Sequence, residues 1–526
     1  MSRDERGRGF ESYLLRQDAI YSQGTNVKDD PVRELDRLFY PKSVAHVGAS
    51  IREAVGRFNF TQYLIQMKFQ GRILPVNPKY PELLGLKCYP SLAEIPGEID
   101  LAIVAVPAAA TVDVIRGCPP GKLKFAVIHT SGFGEIGKGE LEGDLLHEAR
   151  KRGIRLIGPN CLGVYSQEGR VGFWRSHHEI VDLPGTIGFV SQSGGHAVDL
   201  LWGAGDSLLF FNKVVSLGNQ LDLTINDFLE YMGDDPGIHV LGAYVEDVKD
   251  GRRFLEILRR IAPRKPVVIW KGGVSPRGKA AAVTHTGSMA GNEEVFSAAL
   301  RQAGAIQVGS HWEAKRVLRL LQPGFPLPGR RLAVISPGGG STVNLCDHFS
   351  AHPLLSMPRL SAETERALRE LLPEENVDLA NPVDPGGTGM ARADKLLEVI
   401  GQDPNVDTLV LLLSIEFLGT IIGEERRLAL AGMVGKAAAR AASKAGKPLM
   451  ILLRQVRENN EEYDGFRRIF VRSFHEHGVP WLDGSFSEAA SILEKLAAYR
   501  AFREERARFQ EMEAQEERLR CRTGTG

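Results

Sequence analysis

The sequence predicts an α/β protein built from three doubly wound parallel-sheet units in tandem, and three observations carry that reading. Short apolar runs alternate with amphipathic stretches in the manner of β-α-β units. The 526 residues suffice for about three domains of the usual size. Two turn-rich stretches, DLPG at 182–185 and QPGFPLPGR at 322–330, divide the series into three.

After a polar tail to about residue 30, the first unit takes its strands from SVAHVGA (43–49), RILPVN (72–77), DLAIVAVP (100–107), KFAVIHT (124–130) and IRLIG (154–158). The second takes TIGFVS (186–191), NKVVSLG (212–218), HVLGAYVE (239–246), KPVVIWK (265–271) and GAIQVG (304–309). The third takes RLAVISP (331–337), DTLVLLLS (407–414), KPLMILLR (447–454) and VPWLDG (479–484). From about residue 495 Arg and Glu dominate, which reads either as a solvated helix or as a partner-binding one. The sequence itself does not repeat; the architecture does.

Composition excludes several function classes. Lys and Arg number 65 against 65 Asp and Glu, so no overall field draws the chain to nucleic acid or to an anionic membrane. Small anions must then be met by local devices. Cys88, Cys118, Cys161, Cys346 and Cys521 are scattered without CxxC pairing, as expected of thiols in a reducing cytoplasm. The N-terminus MSRDERGRGFESYLLRQ lacks the apolar centre of a signal peptide. TLVLLLSIEFLG (408–419) is too short for a membrane span and contains Glu416, so it reads as a buried strand running into a loop.

Ligands of open α/β sheets sit at the carboxyl ends of strands, where the next helix presents free N–H groups. HVGAS (46–50), with Gly56 beyond it, is a dinucleotide-like turn without the full GxGxxG pattern, and strand-to-helix packing alone would also account for it. FVSQSGG (189–195) runs from an apolar strand into hydroxyls and bare amides, which suits either a phosphate cradle or a capping turn with no ligand. SPGGGSTVNLCD (336–347) repeats that logic in the third unit, and PGGTG (385–389) is glycine-rich with no assigned ligand. In GKAAAVTHTGSMAG (278–291) one histidine, His285, stands without a second His, a Cys or a carboxylate, which excludes a metal site. Gly278, Gly287, Gly291 and the small residues between them suit a nucleophile on a mobile loop; a satisfied structural histidine is the alternative.

Taken together these segments carry a resemblance. PKSVAHVGAS (41–50), PVNPKY (75–80), DLAIVAVPA (100–108), TSGFGEIG (130–137), GPNCLGV (158–164), GFVSQSGG (188–195), VSLGNQLDL (215–223), YVEDV (244–248), KGGVSPRGKAAAVTHTGSMAG (271–291) and NPVD (381–384) follow a family order. The chain resembles the α subunit of an NDP-forming acyl-CoA synthetase, the acetate–CoA ligase (ADP-forming) type of the succinyl-CoA synthetase superfamily, from about residue 35 to 500.

The resemblance implies a polar tail (1–30), a Rossmann-like CoA-binding domain (31–164) and a phosphohistidine-bearing flavodoxin-like domain (165–321). A second flavodoxin-like domain (329–498) and a charged tail (499–526) would follow, with no ATP-grasp domain. It implies coenzyme A at Gly48, Ala49, Ser50, Asn77, Pro78, Val106 and Pro107, with the thiol end near Asn160 and Cys161. His285 would be the phosphorylated histidine, Glu246 its orienting carboxylate, and Ser191, Ser193, Gly194 and Gly195 the phosphate cradle; Glu246 also reads as a plain salt-bridge residue. The implied reaction converts acyl-CoA, ADP and phosphate to carboxylic acid, CoA and ATP through an acyl phosphate and phospho-His285. Nucleotide and Mg²⁺ would lie on a separate ATP-grasp β subunit in an α2β2 assembly. A non-catalytic CoA-binding paralogue is the competing reading. His196 departs from the small or aliphatic residue expected after SQSGG, and Trp174, His177 and His178 belong either to an acyl pocket or to a surface loop.

Overall fold

The computed structural model describes residues 34–50, 58–173, 184–286, 292–322, 324–372, 378–416, 418, 424–454 and 460–523. Every predicted run in them contains a strand. The first sheet comprises β1 (Ser43–Val47), β2 (Arg72–Val76), β5 (Ile99–Val104), β6 (Leu123–Ile128) and β7 (Arg155–Ile157), all parallel, in the order β2-β1-β5-β6-β7. A small antiparallel ribbon, β3 (Glu82–Leu83) with β4 (Leu86–Lys87), stands beside it.

The second sheet has the order β13-β12-β11-β9-β10-β8. Its strands are β8 (Gly163–Ser166), β9 (Ile187–Ser191), β10 (Phe211–Ser216), β11 (Val240–Val245), β12 (Val267–Lys271) and β13 (Ile306–Val308). β8 runs antiparallel to β10, so the domain boundary expected after residue 164 falls inside a strand of this sheet. Helices cover both faces of these strands, so they are mostly apolar and every residue of β1, β9, β10 and β11 is buried, with Lys213 of β10 paired to Asp235 at 2.6 Å.

Two places in this arrangement position ligands. The first sheet reverses its strand order at β1, flanked by β2 and β5; the second reverses at β9, flanked by β10 and β11. Each reversal opens a crevice beyond the strand ends. The third sheet differs from that plan. β14 (Leu332–Ile335), β15 (Thr408–Ser414), β16 (Leu449–Arg454) and β17 (Trp481–Asp483) follow one another in chain order, and among the described residues the far side of β14 carries isolated bridges, Arg331 to Ser356 and Ile335 to Val383. Helices still cover both faces. Val334, Val410 and Leu452 pack with Leu345 and Phe349, while Ala333, Leu409 and Ile451 pack with Leu368 and Phe470.

The first two sheets share one core. Leu101, Phe125 and Val127 on one side join Phe189, Val190 and Val215 on the other. A seam of backbone hydrogen bonds reinforces it: Asn219, Leu221 and Leu223 donate to the carbonyls of Pro159, Gly158 and Leu156 at 3.0, 2.9 and 3.1 Å. Gly218 turns the chain there with φ +58°, and a Cβ at that position would run into the Pro159 carbonyl oxygen. Arg155 closes the seam on Asp222 at 2.8 Å.

The last helix, Phe486–Thr523, changes the expected picture of a charged tail beginning at 499. One face of residues 489–499, including Ile492, Leu493, Leu496 and Tyr499, is part of the main core, the Tyr499 hydroxyl donates to the Ala262 carbonyl at 2.9 Å, and Phe502 packs against Gly304. Beyond them, residues 503–515 are exposed. The helix thus straps the third unit to the edge of the second sheet. Among the described residues no helix is long and apolar enough to cross a membrane.

Candidate active site at the junction of the first two sheets

At the β1 crevice the chain must turn sharply, and Gly48 does so at φ +89°, with the Ala105 carbonyl close beneath its Cα. A cavity of about 490 Å³ opens here, lined by Gly48, Asn77, Pro78, Lys79, Val106 and Pro107 among others. Asn77 builds its wall: the side-chain amide donates to the Ala49 carbonyl at 2.8 Å and its oxygen accepts from the Lys79 amide at 3.0 Å. Pro107 begins the helix Ala108–Arg116, where its missing N–H costs nothing. Ala49 is wholly buried and faces a small cluster with Leu83 and Cys88 instead of the cavity. Ser50 ends the described segment.

A second cavity of about 410 Å³ lies where the two units meet. The first unit contributes His129, Asn160 and Cys161; the second contributes Gln192, Ser193, Gly194 and Gly195. Ser193 caps the helix Gly194–Trp202, its oxygen accepting from the His196 amide at 3.4 Å, so its own hydroxyl hydrogen remains available to an anion. Ser191 is buried and donates to the Ser193 carbonyl at 2.7 Å. Its hydroxyl shapes the turn and does not line the cavity. Cys161 is likewise buried, and burial pushes its thiol up to about 12, which removes it as a nucleophile.

Glu246 follows β11 directly, on the opposite flank of the β9 crevice. One side chain ties it to the cradle: the Gln192 oxygen accepts from the backbone amides of Glu246 and Asp247, while its nitrogen donates to the Asp247 carbonyl at 2.9 Å. From below, the Lys271 ammonium donates to the carbonyls of Glu246 and Gly272 at 2.8 and 2.5 Å. Burial pushes that ammonium down, against the pull of Glu293, Asp247 and Glu246. Burial likewise raises the Tyr244 phenol, helped by the charge of Glu246 and a hydrogen bond to it.

His285 stands near the end of a helix, Pro276–Thr286, and not in an open loop. The reason is local: Ser275 accepts from the Gly278 amide at 3.0 Å, Pro276 suits the first helical position, and alanines 280–282 favour propagation. This helix packs against the turn Gly134–Ile136 of the first unit. The His285 side chain, Gly287, Gly291, Gly56, Trp174, His177 and His178 lie outside the described residues. His196 points away from the cradle into an aromatic box, 4.5 Å from Tyr244 and 4.3 Å from Trp270 between ring centres. Burial lowers its pKa, against the charges of Asp199 and Glu246.

Comparison with known proteins accords with this layout. Residues 42–167 match the CoA binding domain and residues 184–321 the succinyl-CoA ligase like flavodoxin domain. The acetate–CoA ligase [ADP-forming] II subunit alpha of Pyrococcus furiosus is 34% identical over 72% of this chain and 81% of its own length. The chain belongs to the ADP-forming acetate–CoA ligase family. Another member, the acetate–CoA ligase [ADP-forming] I of Archaeoglobus fulgidus, is 38% identical over 72% of this chain and 55% of its own length. The chain therefore spans about half the length of that relative. Among solved structures, a dinucleotide forming acetyl-coenzyme A synthetase 1 of Ca. Korarchaeum cryptofilum, in complex with phosphate and ADP, superposes with a TM-score of 0.73. It is 29% identical, over 89% of this chain and 97% of that one.

Of the site residues expected in this ligase family member, the two cavities gather Gly48, Asn77, Pro78, Val106 and Pro107 in one and Asn160, Cys161, Ser193, Gly194 and Gly195 in the other. Sequence reasoning missed Gln192, Lys271 and His129. Gln192 stood inside the quoted SQSGG motif, and its position between the two serines was the available signal. Lys271 and His129 each end an apolar strand with a titratable side chain, the same kind of signal.

Proposed function

We propose that this chain is the CoA-binding, phosphohistidine-carrying subunit of an acid–CoA ligase (ADP-forming), interconverting acyl-CoA, ADP and phosphate with a small carboxylic acid, CoA and ATP in the cytoplasm. The observation that carries the reading is the shared cavity, in which Asn160 and Cys161 of the CoA-binding unit face the Ser193–Gly195 cradle of the second. An anion at that helix start gains on the order of 0.3–1 kcal/mol from the helix dipole, and up to about 2 when partly buried. A phosphate oxygen held there attacks the thioester carbonyl, the C–S bond breaks and an acyl phosphate forms. An imidazole nitrogen of His285 then takes the phosphoryl group and the carboxylate leaves. Glu246, fixed by Gln192 and Lys271, orients that imidazole and supports the charge it develops.

The nucleotide and Mg²⁺ belong, in this reading, to an ATP-grasp β subunit on a separate chain, in an α2β2 assembly. Incubation of the chain and a candidate β subunit with labelled ATP tests it, wild type beside His285→Ala. Acid-labile, base-stable label is expected in wild type and absent from the variant. No label in either, with CoA still bound, would identify a non-catalytic CoA-binding paralogue.

A further inference from the structure

We propose that His129 is the acid–base residue for the coenzyme A thiol in the acyl-transfer step, an assignment that rests on the function proposed above. His129 follows β6 directly and lines the 410 Å³ cavity on the side of the CoA-binding unit. Its Nδ1 lies 2.8 Å from the Cys161 carbonyl oxygen. A carbonyl only accepts, so Nδ1 carries the proton and neutral imidazole keeps its lone pair on Nε2. Among the described residues that Nε2 makes no hydrogen bond. Phe58 and Phe60 hold the ring edge-to-face at 5.0 and 5.1 Å, which fixes its plane. The polar edge left over is Nε2. The next residue ties this turn to the CoA cavity, the Thr130 hydroxyl donating to the Val106 carbonyl at 2.5 Å.

Other candidates in the cavity are poorly suited. The Cys161 thiol is directed at the Ile128 and Ile157 carbonyls. Asp199 stands across the cavity on the helix after β9, on the phosphate side. Among the described residues these two, with His46 beyond Phe60, are the titratable groups facing His129 from the elements around it. Burial lowers the His129 pKa, opposed only by the hydrogen bond to Cys161, so the ring is neutral and basic at neutral pH.

When sulfur attacks the carbonyl carbon of an acyl phosphate, the C–S bond forms, the S–H proton passes to Nε2 and the C–O bond to phosphate breaks. The imidazolium then returns its proton to solvent. In the reverse direction phosphate oxygen attacks the thioester, and the imidazolium protonates sulfur as the C–S bond breaks.

The residues named at the cavity all belong to this chain, so the step is testable with the full chain, acetyl phosphate and CoA, without nucleotide, by following thioester absorbance. His129→Asn keeps a donor for the Cys161 carbonyl but has no base; His129→Phe keeps the ring volume. Both are expected to lose about 10²–10⁴-fold at pH 7. The deficit should shrink as the pH rises toward about 8.5, where an aliphatic thiol ionises unaided. A purely structural role gives a deficit that is the same at every pH, or one that Asn restores, and either result overturns the assignment while leaving the ligase function standing. Absence of thioester formation by the wild type overturns both.

Discussion

Gln192 uses both ends of one amide to hold the turn that carries Glu246. Gln192→Leu would leave two backbone N–H groups without their acceptor, at a cost of about 1–3 kcal/mol, readable as a lowered urea midpoint. A second outcome concerns protons. His129, His196, His311 and His475 all lie below the usual imidazole range because burial disfavours the charged ring. Groups with a depressed folded pKa bind fewer protons when folded, so their stability is present above about pH 6.5 and is lost as pH falls toward the folded values. Urea midpoints should therefore decline from pH 7 to pH 5, and less steeply in His196→Phe. At this scale the helix start at Ser193, Gly194 and Gly195 was legible because these residues closely follow an apolar run. The clamp by Gln192 was not, since it joins residues 54 apart with no local pattern to announce the pairing.

The elements were legible wherever burial on both faces makes a strand a continuous apolar run, as in VVIWK or TLVLLLS. β8 escaped notice because GVYS is short and its partner β10 lies across the unit boundary, a pairing that only tertiary structure supplies. The glycines around His285 read as a loop, whereas Ser275, Pro276 and the alanines start and extend a helix there. Gly218 is a position where the first two units depend on a missing side chain. Gly218→Ala meets both a positive φ and the Pro159 carbonyl, so it should cost more than about 1 kcal/mol. The same change should also raise hydrogen exchange at Asn219, Leu221 and Leu223, whose amides form the seam.

Across the whole molecule, the tandem order of three α/β units was readable from strand spacing and linkers, whereas the path of the last helix was not. Its Arg and Glu richness describes residues 503–515 and conceals the buried stripe through Leu493, Leu496 and Tyr499 that precedes them. Phe502→Ala removes part of an aromatic contact on Gly304. A loss of about 1–2 kcal/mol is expected, with faster exchange at β13 and in the helix Gly339–Ser350 together, because one strap covers both. The strap also sets an order of events during synthesis. Chains emerge from the ribosome N-terminus first and fold unit by unit. The first two units can thus close around their common cavity while the third is still being made. The edge at Ala262 and Gly304 must wait, bare, until residues 499–502 have left the exit tunnel.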